Sequence, residues 1–408
     1  MSKRLPFLKL KGLTVVDEAA KPLILKGVSL GGWLMMEGYM TAGRNIPEKL
    51  FRESFERALG KDALADFTQC FRETFIRGDD FSQIKSWGAN CVRIPFNYRL
   101  LEFEDRAFSL NEAGLAFLDK AVGWCIENGL YCILDMHAVP GAQNPDWHSD
   151  CVGGPDFFTN EFNQNRYLRL WHFIATRYKD VSAVAGYDVM NEPVIPVFDE
   201  PKLKEIYEKV TKEIRDSGSK QIIFLEGNVF AQRIKFLGKP KDDNTVYSVH
   251  AYPPPPFVFN LVPGSRYPGK AYGITWNKDR FNMIAWPYHR FAESVKVPLY
   301  VGEFGVNARD GYYGEVRWLK DALSIFKKYG WSWTYWTYKT VANYTQPDGI
   351  YRYIENPPWV HREGPLTGWE TFAEQWSKEK GRMIYSWRTE NYSRNDKLLA
   401  VLKKEFAK

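Results

Sequence analysis

Eight short segments with strand-like composition recur along the chain, and segments with helical periodicity lie between them. In residues 111–129 and 161–178, for example, apolar side chains recur at three- and four-residue spacing. Strands that alternate with helices favour a parallel sheet, and no glycine-rich dinucleotide turn follows the first strand. The sequence therefore predicts a (β/α)₈ TIM barrel rather than a doubly wound sheet. The eight predicted strands are residues 23–32, 91–96, 131–137, 184–193, 222–227, 245–252, 299–305 and 332–339.

The chain is longer than a minimal barrel requires. It has 408 residues, whereas such a barrel typically takes about 250. The excess is predicted to form long loops after strands three, six and eight, at residues 138–161, 252–280 and 338–369. Residues 7–25 are predicted to form an N-terminal β-hairpin that closes the bottom of the barrel. We find no internal repeat or linker, so residues 1–408 are expected to form a single domain.

Composition argues against several classes of partner. The 55 basic and 49 acidic residues form no basic stripe, so nucleic acid is not an expected partner. The five cysteines form no C-x-x-C pair, which makes a disulfide framework or a zinc site improbable. No segment is apolar enough to predict a membrane span. The N-terminus lacks the pattern of a signal peptide, so a cytoplasmic protein is expected unless a leader has been removed. The sequence carries no signal for oligomeric state.

Polar and aromatic side chains stand at the predicted C-terminal ends of the strands, where barrels place their chemistry. Any one of them could be a structural rim residue, but together they predict a site. In chain order they are Glu37, Arg93, Asn97, His137, Asn191, Glu192, Glu226, Asn228, His250, Tyr252, Glu303 and Trp336.

Two of these residues are carboxylates on strands that face each other across the barrel mouth. Glu192 lies at the end of strand four and Glu303 at the end of strand seven. Paired carboxylates are what cleavage of a glycosidic bond requires. Arg93 would keep its carboxylate neighbour ionised and Tyr252 could donate a hydrogen bond to it, which favours Glu303 as the nucleophile. Glu192 would then be the acid/base, with a pKa raised by burial and by the neighbouring negative charge.

The remaining candidates are predicted to hold a sugar. Asn191 could donate to the hydroxyl beside the reacting carbon, and Trp336 offers an apolar face for a sugar ring. His137 and His250 are interpreted as hydrogen-bonding partners of the substrate and the carboxylates. Further aromatic side chains are predicted at the rim of the site, namely Trp147, Trp286 and Trp359.

Several strand-end motifs occur together in this chain. They are "GYDVMNEP" and "VGEFG", with Arg93 in "NCVRIPF", His137 in "LDMH", "VHAY" and the tryptophan of "SWTYWTYK". Together they resemble glycoside hydrolase family 5, a family of retaining (β/α)₈ enzymes. Within the family, "LKGVSLGGWLMMEG" and "DMHAVPGAQN" resemble the exo-β-1,3-glucanase and β-glucosidase branch. In that branch a glutamate after G-G-W-L, here Glu37, lines a closed sugar pocket. The chain departs from the secreted fungal relatives after Asn144, where "PDWHSD" follows.

The resemblance implies a retaining β-glycosidase without a cofactor, exo-acting on short β-linked gluco-oligosaccharides or β-glucosides. Three loop insertions could wall off the cleft, and Glu37 could accept hydrogen bonds from the terminal sugar. A β-mannosidase, or an endo-β-glucanase or mannanase of the same family, is the alternative. A non-catalytic carbohydrate-binding barrel is more distant, because both carboxylates are present. A metal-dependent barrel would usually carry a histidine pair on strand one, and no histidine precedes His137.

Overall fold

The protein is described by a computed structural model, which covers residues 4–41, 43–341, 345–353 and 372–407. At its centre lies a closed barrel of eight parallel strands in which each strand pairs with the next along the chain and the last pairs with the first. The predicted (β/α)₈ barrel is confirmed. Its strands are β1 Lys26–Ser29, β2 Cys91–Asn97, β3 Tyr131–Ala138, β4 Val184–Asp188, β5 Ile222–Glu226, β6 Thr245–His250, β7 Leu299–Phe304 and β8 Ser332–Tyr335.

Most connections contain helices that pack around the barrel. Those of eight residues or more are α1 Glu48–Leu59, α2 Lys61–Thr74, α3 Gly78–Ser86, α4 Glu112–Asn128, α5 Glu161–Tyr178, α6 Glu200–Asp216, α7 Lys278–Val295, α8 Glu315–Tyr329, α9 Phe372–Ser386 and α10 Asp396–Phe406. The predicted helices 111–129 and 161–178 correspond to α4 and α5. Asn111 caps the start of α4 through the Gly114 amide, and Gly129 ends the helix with a left-handed φ of 60°.

Several predicted strands are longer than the observed ones. The prediction of residues 184–193 as one strand is wrong in its second half, because β4 leaves the sheet after Asp188. Beyond that point only single backbone bonds reach the neighbouring strands, from Val189 to Phe224 and from Asn191 to Met136. The amide of Glu192 donates instead to the Glu226 carboxylate over 2.6 Å. Glu192 also has a φ of 47°, which no strand residue adopts. The apolar sequence that begins in β4 therefore continues beyond the end of the strand, up to Glu192.

The N-terminal segment forms a sheet of three short antiparallel strands, Lys9–Lys11, Thr14–Val16 and Pro22–Leu23. The predicted hairpin is thus present but is extended by a third strand, because Leu23 and Pro22 pair with Val15 and Val16. Leu8 and Val15 pack into one apolar cluster with barrel residues such as Tyr131 and Ile222, near the starts of their strands. The sheet closes the bottom of the barrel, as predicted.

The long predicted loops follow β3, β6 and β8. The loop after β6 carries a short hairpin, Gly269–Ala271 with Ile274–Trp276. The loop after β8 contributes Lys339–Val341, which pairs with Tyr351–Tyr353. Residues 354–371, and with them Trp359, lie outside the described residues. None of the described helices combines the length and the apolar character that a bilayer span requires.

Candidate active site

A pocket of about 480 Å³ opens at the C-terminal rim of the barrel. Every long loop contributes to its wall: Trp147 comes from the loop after β3, Phe259 and Trp276 from the loop after β6, and Gln346 from the loop after β8. The pocket therefore lies where barrel enzymes hold their reactive groups. Of the predicted site residues, those that line it are Glu37, His137, Glu192, His250, Tyr252, Glu303 and Trp336.

Glu192 and Glu303 meet in this pocket. One carboxylate oxygen of each, together with a ring nitrogen of His250, lies within 4.8 Å of the others. These three atoms could in principle ligate a metal ion. However, the Arg93 guanidinium is 2.7 Å from Glu303, and the raised pKa of His250 keeps a second positive charge there. This set of side chains is therefore a poor match for a divalent cation.

Both oxygens of Glu303 accept hydrogen bonds. Arg93 donates from Nη1 to Oε1 over 2.7 Å, and the Tyr252 hydroxyl donates to Oε2 over 2.8 Å. Glu303 is only 5% exposed. The carboxylate is thus fixed in orientation by the two donors that the sequence pattern predicts for it.

Arg93 is the centre of a fully buried polar network beneath the pocket. Its guanidinium lies 3.1 Å from Asp135, 3.0 Å from Asp188 and 3.1 Å from Glu226, and it also donates to Asn191 Oδ1 over 2.9 Å. Burial raises the pKa of Asp135 to about 8 in spite of the opposing charge of Arg93. Burial and the charge of Glu226 likewise raise the pKa of Asp188. Both shifts favour the neutral form of these aspartates and so reduce the negative charge around one arginine.

Sequence reasoning missed Asp135 and Asp188. Their signal was a charged residue inside an otherwise apolar strand, in "LDMH" and "GYDVM". A charge at such a position is rarely buried without a partner. Glu226, predicted only as a rim candidate, belongs to the same network. Asn191 and Arg93 lie beneath the lining of the pocket and are fully buried. A direct contact between Asn191 and a sugar remains a prediction.

Glu192 lies between two histidines. His250 Nδ1 is 2.5 Å from Oε1, and His148 Nε2 is 3.5 Å from Oε2. Burial acts to raise the pKa of Glu192, but the charges of these histidines outweigh it and lower that pKa to about 2. The predicted raised pKa is therefore wrong for the unliganded protein. The prediction failed because it counted burial and the charge of Glu303 but not the cationic histidines, which are the nearest charges to Glu192.

His148 was not among the predicted site residues. It belongs to "PDWHSD", the segment in which the sequence departs from the exo-glucanase pattern. Burial opposes its protonation, but a hydrogen bond with Asp146 and the charges of Glu192 and Glu37 raise the pKa of His148 to about 9. A histidine in a long loop carries no sequence signal that distinguishes it from a surface residue, so only the path of the loop reveals it.

Glu37 lies with His137 and Trp336 at another part of the pocket. The rings of His137 and Trp336 stack with centroids 5.5 Å apart, and His137 Nε2 is 3.9 Å from Glu37 Oε1. That carboxylate oxygen and Trp147 Nε1 are both buried, and neither has a hydrogen bond of good geometry among the described residues. A weak contact with Trp147 only partly opposes the effect of burial on the pKa of Glu37. Burial raises the pKa of Glu37 to about 8 and lowers the pKa of His137 to about 3. Two unpaired buried polar atoms indicate a place for a polar ligand.

Other predicted residues have structural roles or lie elsewhere. Asn97 accepts from the Arg99 amide and donates to Asp150. The Asn228 side chain accepts a hydrogen bond from the Ile195 amide and donates one to the Ile195 carbonyl oxygen. Neither lines the pocket.

Of the tryptophans predicted at the rim, Trp147 lines the pocket, whereas Trp286 does not. Trp286 lies on α7, is 53% exposed and is outside the pocket lining. The reason is helical phase, since Trp286 points to solvent while its neighbour Ala285 faces inward.

Comparison with known proteins agrees with this geometry. Residues 59–341 match the family model "Cellulase (glycosyl hydrolase family 5)". A β-xylosidase of Phanerodontia chrysosporium is 32% identical over 349 residues, which cover 82% of this chain and 71% of that protein. A probable glucan 1,3-β-glucosidase A of Aspergillus clavatus is 31% identical over 56% of this chain and 55% of its own.

A solved structure shares the fold. The endoglucanase Cel5A of Thermotoga maritima superposes with a TM-score of 0.59 at 20% identity, over 80% of this chain and 91% of that chain. The family match covers both carboxylates and the strands that carry them. The chain therefore belongs to glycosyl hydrolase family 5, and it is an O-glycosyl hydrolase built on a (β/α)₈ barrel.

Proposed function

We propose that the protein is a retaining β-glycosidase that releases single sugars from the non-reducing end of short β-linked gluco-oligosaccharides or β-glucosides. The observation that carries the mechanism is the approach of Glu192 and Glu303 to within 4.8 Å, oxygen to oxygen. Retaining enzymes place their carboxyl groups about 5–5.5 Å apart, whereas inverting enzymes need about 6.5–9.5 Å to admit a water molecule. The short separation favours retention.

In the first step, Glu303 attacks the anomeric carbon while Glu192 protonates the departing oxygen. The bond from carbon to the leaving group breaks, and an ester bond from carbon to Glu303 forms. The proton comes from the pair that Glu192 makes with His250, whose Nδ1 is 2.5 Å from the carboxylate. In the second step, water attacks the ester and returns a proton to this pair, so that Glu303 leaves as a carboxylate.

Exo action is supported by the pocket. The unpaired Glu37 carboxylate can accept hydrogen bonds from the hydroxyls of a terminal sugar, and the stacked His137 and Trp336 rings provide a face beside it. A site built to bond such hydroxyls discriminates strongly against substrates that lack them. Side chains from all three long loops line the pocket, as a wall around a terminal sugar requires.

A pentose substrate is the second candidate, because the relative from Phanerodontia chrysosporium is named a β-xylosidase and is similar over most of both chains. Xylose has the configuration of glucose without the hydroxymethyl group. The two sugars would therefore use the same Glu37 contacts, and the space beside the sugar would decide between them.

The test is hydrolysis of aryl β-glucoside, β-xyloside and β-mannoside, followed by laminari-, cello- and manno-oligosaccharides, with the released anomer followed by NMR. We expect the β-anomer first and the highest kcat/KM on the glucoside. Faster turnover of the xyloside would show that xylose, and not glucose, is the preferred terminal sugar. Initial release of the α-anomer would contradict the mechanism.

A further inference from the structure

The pocket that contains the carboxylates also has an apolar half. Its wall there consists of Trp276, Phe281, Ile284, Ala285, Tyr288 and Trp331. Phe281, Ala285 and Trp331 are buried, whereas Trp276, Ile284 and Tyr288 are half-buried. We call this part of the pocket the groove. None of these six side chains carries a charge, and the Tyr288 hydroxyl is already bonded to the Gln232 carbonyl.

The apolar half lies apart from the groups that suit a sugar. Glu37 and His137 come with β1 and β3, whereas most of the apolar wall belongs to α7 and to the segment just before it, which follow β6. His250 ends β6 and contacts both carboxylates. If the terminal sugar lies against Glu37, the group attached to its anomeric carbon extends past β6 towards α7.

We propose that this groove binds an apolar aglycone, an alkyl or aryl group joined by a β-linkage to the terminal sugar. The inference rests on the proposed β-glycosidase function and names a substrate class for it. A second sugar could lay one ring face on an aromatic side chain, as Trp336 offers to the first, but the six wall residues offer no free charged or amide group for its hydroxyls. A hydrocarbon chain or ring would instead remove apolar surface from water on both sides.

The first experiment compares kcat/KM for methyl, butyl, hexyl and octyl β-glucosides. For the wild type we expect kcat/KM to rise about threefold to fourfold for each methylene that enters the groove. Ile284→Trp fills the groove and should reduce the ratio of octyl to methyl activity to near one. Met283→Trp is the matched control, because Met283 is the adjacent residue of the same helix and is 61% exposed. It should keep the wild-type ratio.

A binding measurement separates this inference from the proposed function. Octyl and methyl β-thioglucosides resist hydrolysis, so calorimetry with both reports on the groove even if no glucoside is turned over. Phenyl β-thioglucoside supplies the aryl case. Tighter binding of the octyl or phenyl compound, lost in Ile284→Trp but kept in Met283→Trp, supports the groove whatever the natural sugar. Equal binding of all three, or an Ile284→Trp variant with the wild-type preference, would overturn the inference.

Discussion

At the scale of single residues, the pocket holds three histidines whose charge states differ because their neighbours differ. His250 faces Glu226, Glu303 and Glu192, and these charges raise its pKa against the effect of burial. Burial alone dominates His137, whose pKa falls to about 3. His148 is held protonated, with a pKa of about 9, by Asp146 and two pocket carboxylates. In the proposed mechanism, the proton for leaving-group departure therefore resides on a pair, Glu192 with His250, and not on an isolated carboxylic acid.

Removal of Glu303 and removal of Glu192 are expected to affect turnover differently. Glu303→Ala should abolish turnover of every substrate. Glu192→Ala should lower kcat/KM by about 10²–10⁴ for poor leaving groups, while dinitrophenyl glycosides, which need no protonation, keep their first step. Azide should then attack the accumulated intermediate of Glu192→Ala to give a β-glycosyl azide, identified by NMR. An inverted glycosyl azide from Glu192→Ala would mean that the two roles are exchanged.

Removal of the His148 charge should move the pH profile. His148 lowers the pKa of Glu192, so His148→Gln should raise the proton affinity of the Glu192 and His250 pair. The acid then stays protonated to higher pH, and the alkaline limb of kcat/KM should shift upwards by roughly one pH unit. The same substitution at His172, a surface residue paired with Glu213, serves as the control. An unchanged alkaline limb in His148→Gln would show that His148 does not act on the pair.

Glu37 is expected to strengthen sugar binding but to lower the free energy of unfolding at alkaline pH. Its folded-state pKa of about 8 lies above the ordinary value of 4.5. A raised folded-state pKa makes stability greatest below the ordinary value, and that stability is lost as the pH rises to about 8. Glu37→Gln should therefore raise Tm more at about pH 9 than at about pH 5, and lower kcat/KM about ten- to a hundredfold.

The measurements are thermal unfolding at both pH values and kinetics on an aryl β-glucoside. Glu205→Gln is the control, since Glu205 lies on the exposed side of α6 and pairs with Lys209. A Tm difference that does not depend on pH would contradict the buried, unpaired carboxylate.

At the scale of elements, an apolar cluster that stabilises the fold lies at one end of the barrel, and the catalytic pocket lies at the other. The N-terminal sheet packs Leu8 and Val15 into the apolar cluster at the bottom. The pocket occupies the other end, where the strands terminate. Elements at the bottom can therefore be perturbed without contact to the substrate.

Leu8→Ala should lower the free energy of unfolding by about 2–5 kcal/mol and leave kcat/KM unchanged. The reason is that Leu8 is 4% exposed and its deletion leaves a cavity at the bottom of the barrel. Leu13→Ala, in the turn between the first two strands of this sheet, is the control. Leu13 is 39% exposed, so its truncation should change the free energy of unfolding little. Denaturant unfolding and steady-state kinetics check both variants, and a fall in kcat/KM for Leu8→Ala would refute the separation.

At the scale of the whole molecule, the loops decide what kind of substrate can enter. Barrel strands place reactive groups at one mouth but leave that mouth open unless loops cover it. Here loops after β1, β3, β6 and β8 all supply lining side chains. The proposed exo action requires such a wall around the terminal sugar.

The proposed exo action predicts the early products from a labelled β-linked hexasaccharide. We expect the free monosaccharide and the pentasaccharide to appear first, because only the terminal unit reaches Glu37. Chromatography at low conversion measures this pattern. A ladder of mid-length fragments at early times would instead indicate an open cleft and an endo-acting enzyme.

The sequence by itself determined the barrel and the identity of its central carboxylates. Alternation of strands and helices is a local pattern, and closure of the barrel brings every strand end to one mouth. Residues at strand ends, such as Glu192, Glu303 and Tyr252, could therefore be assigned to one site from their positions alone. Contacts of Arg93 and Tyr252 with Glu303 followed from the same reasoning and are present.

Only the tertiary structure decided the charge states and the walls of the site. The pKa of Glu192 depends on distances to His250 and His148, and His148 arrives on a loop whose path no periodicity encodes. Likewise, helical phase and packing turn Ala285 into the pocket and Trp286 out to solvent. The physical reason is that strand and helix patterns depend on near neighbours in sequence, whereas electrostatic interaction and cavity shape depend on atoms that only folding brings together.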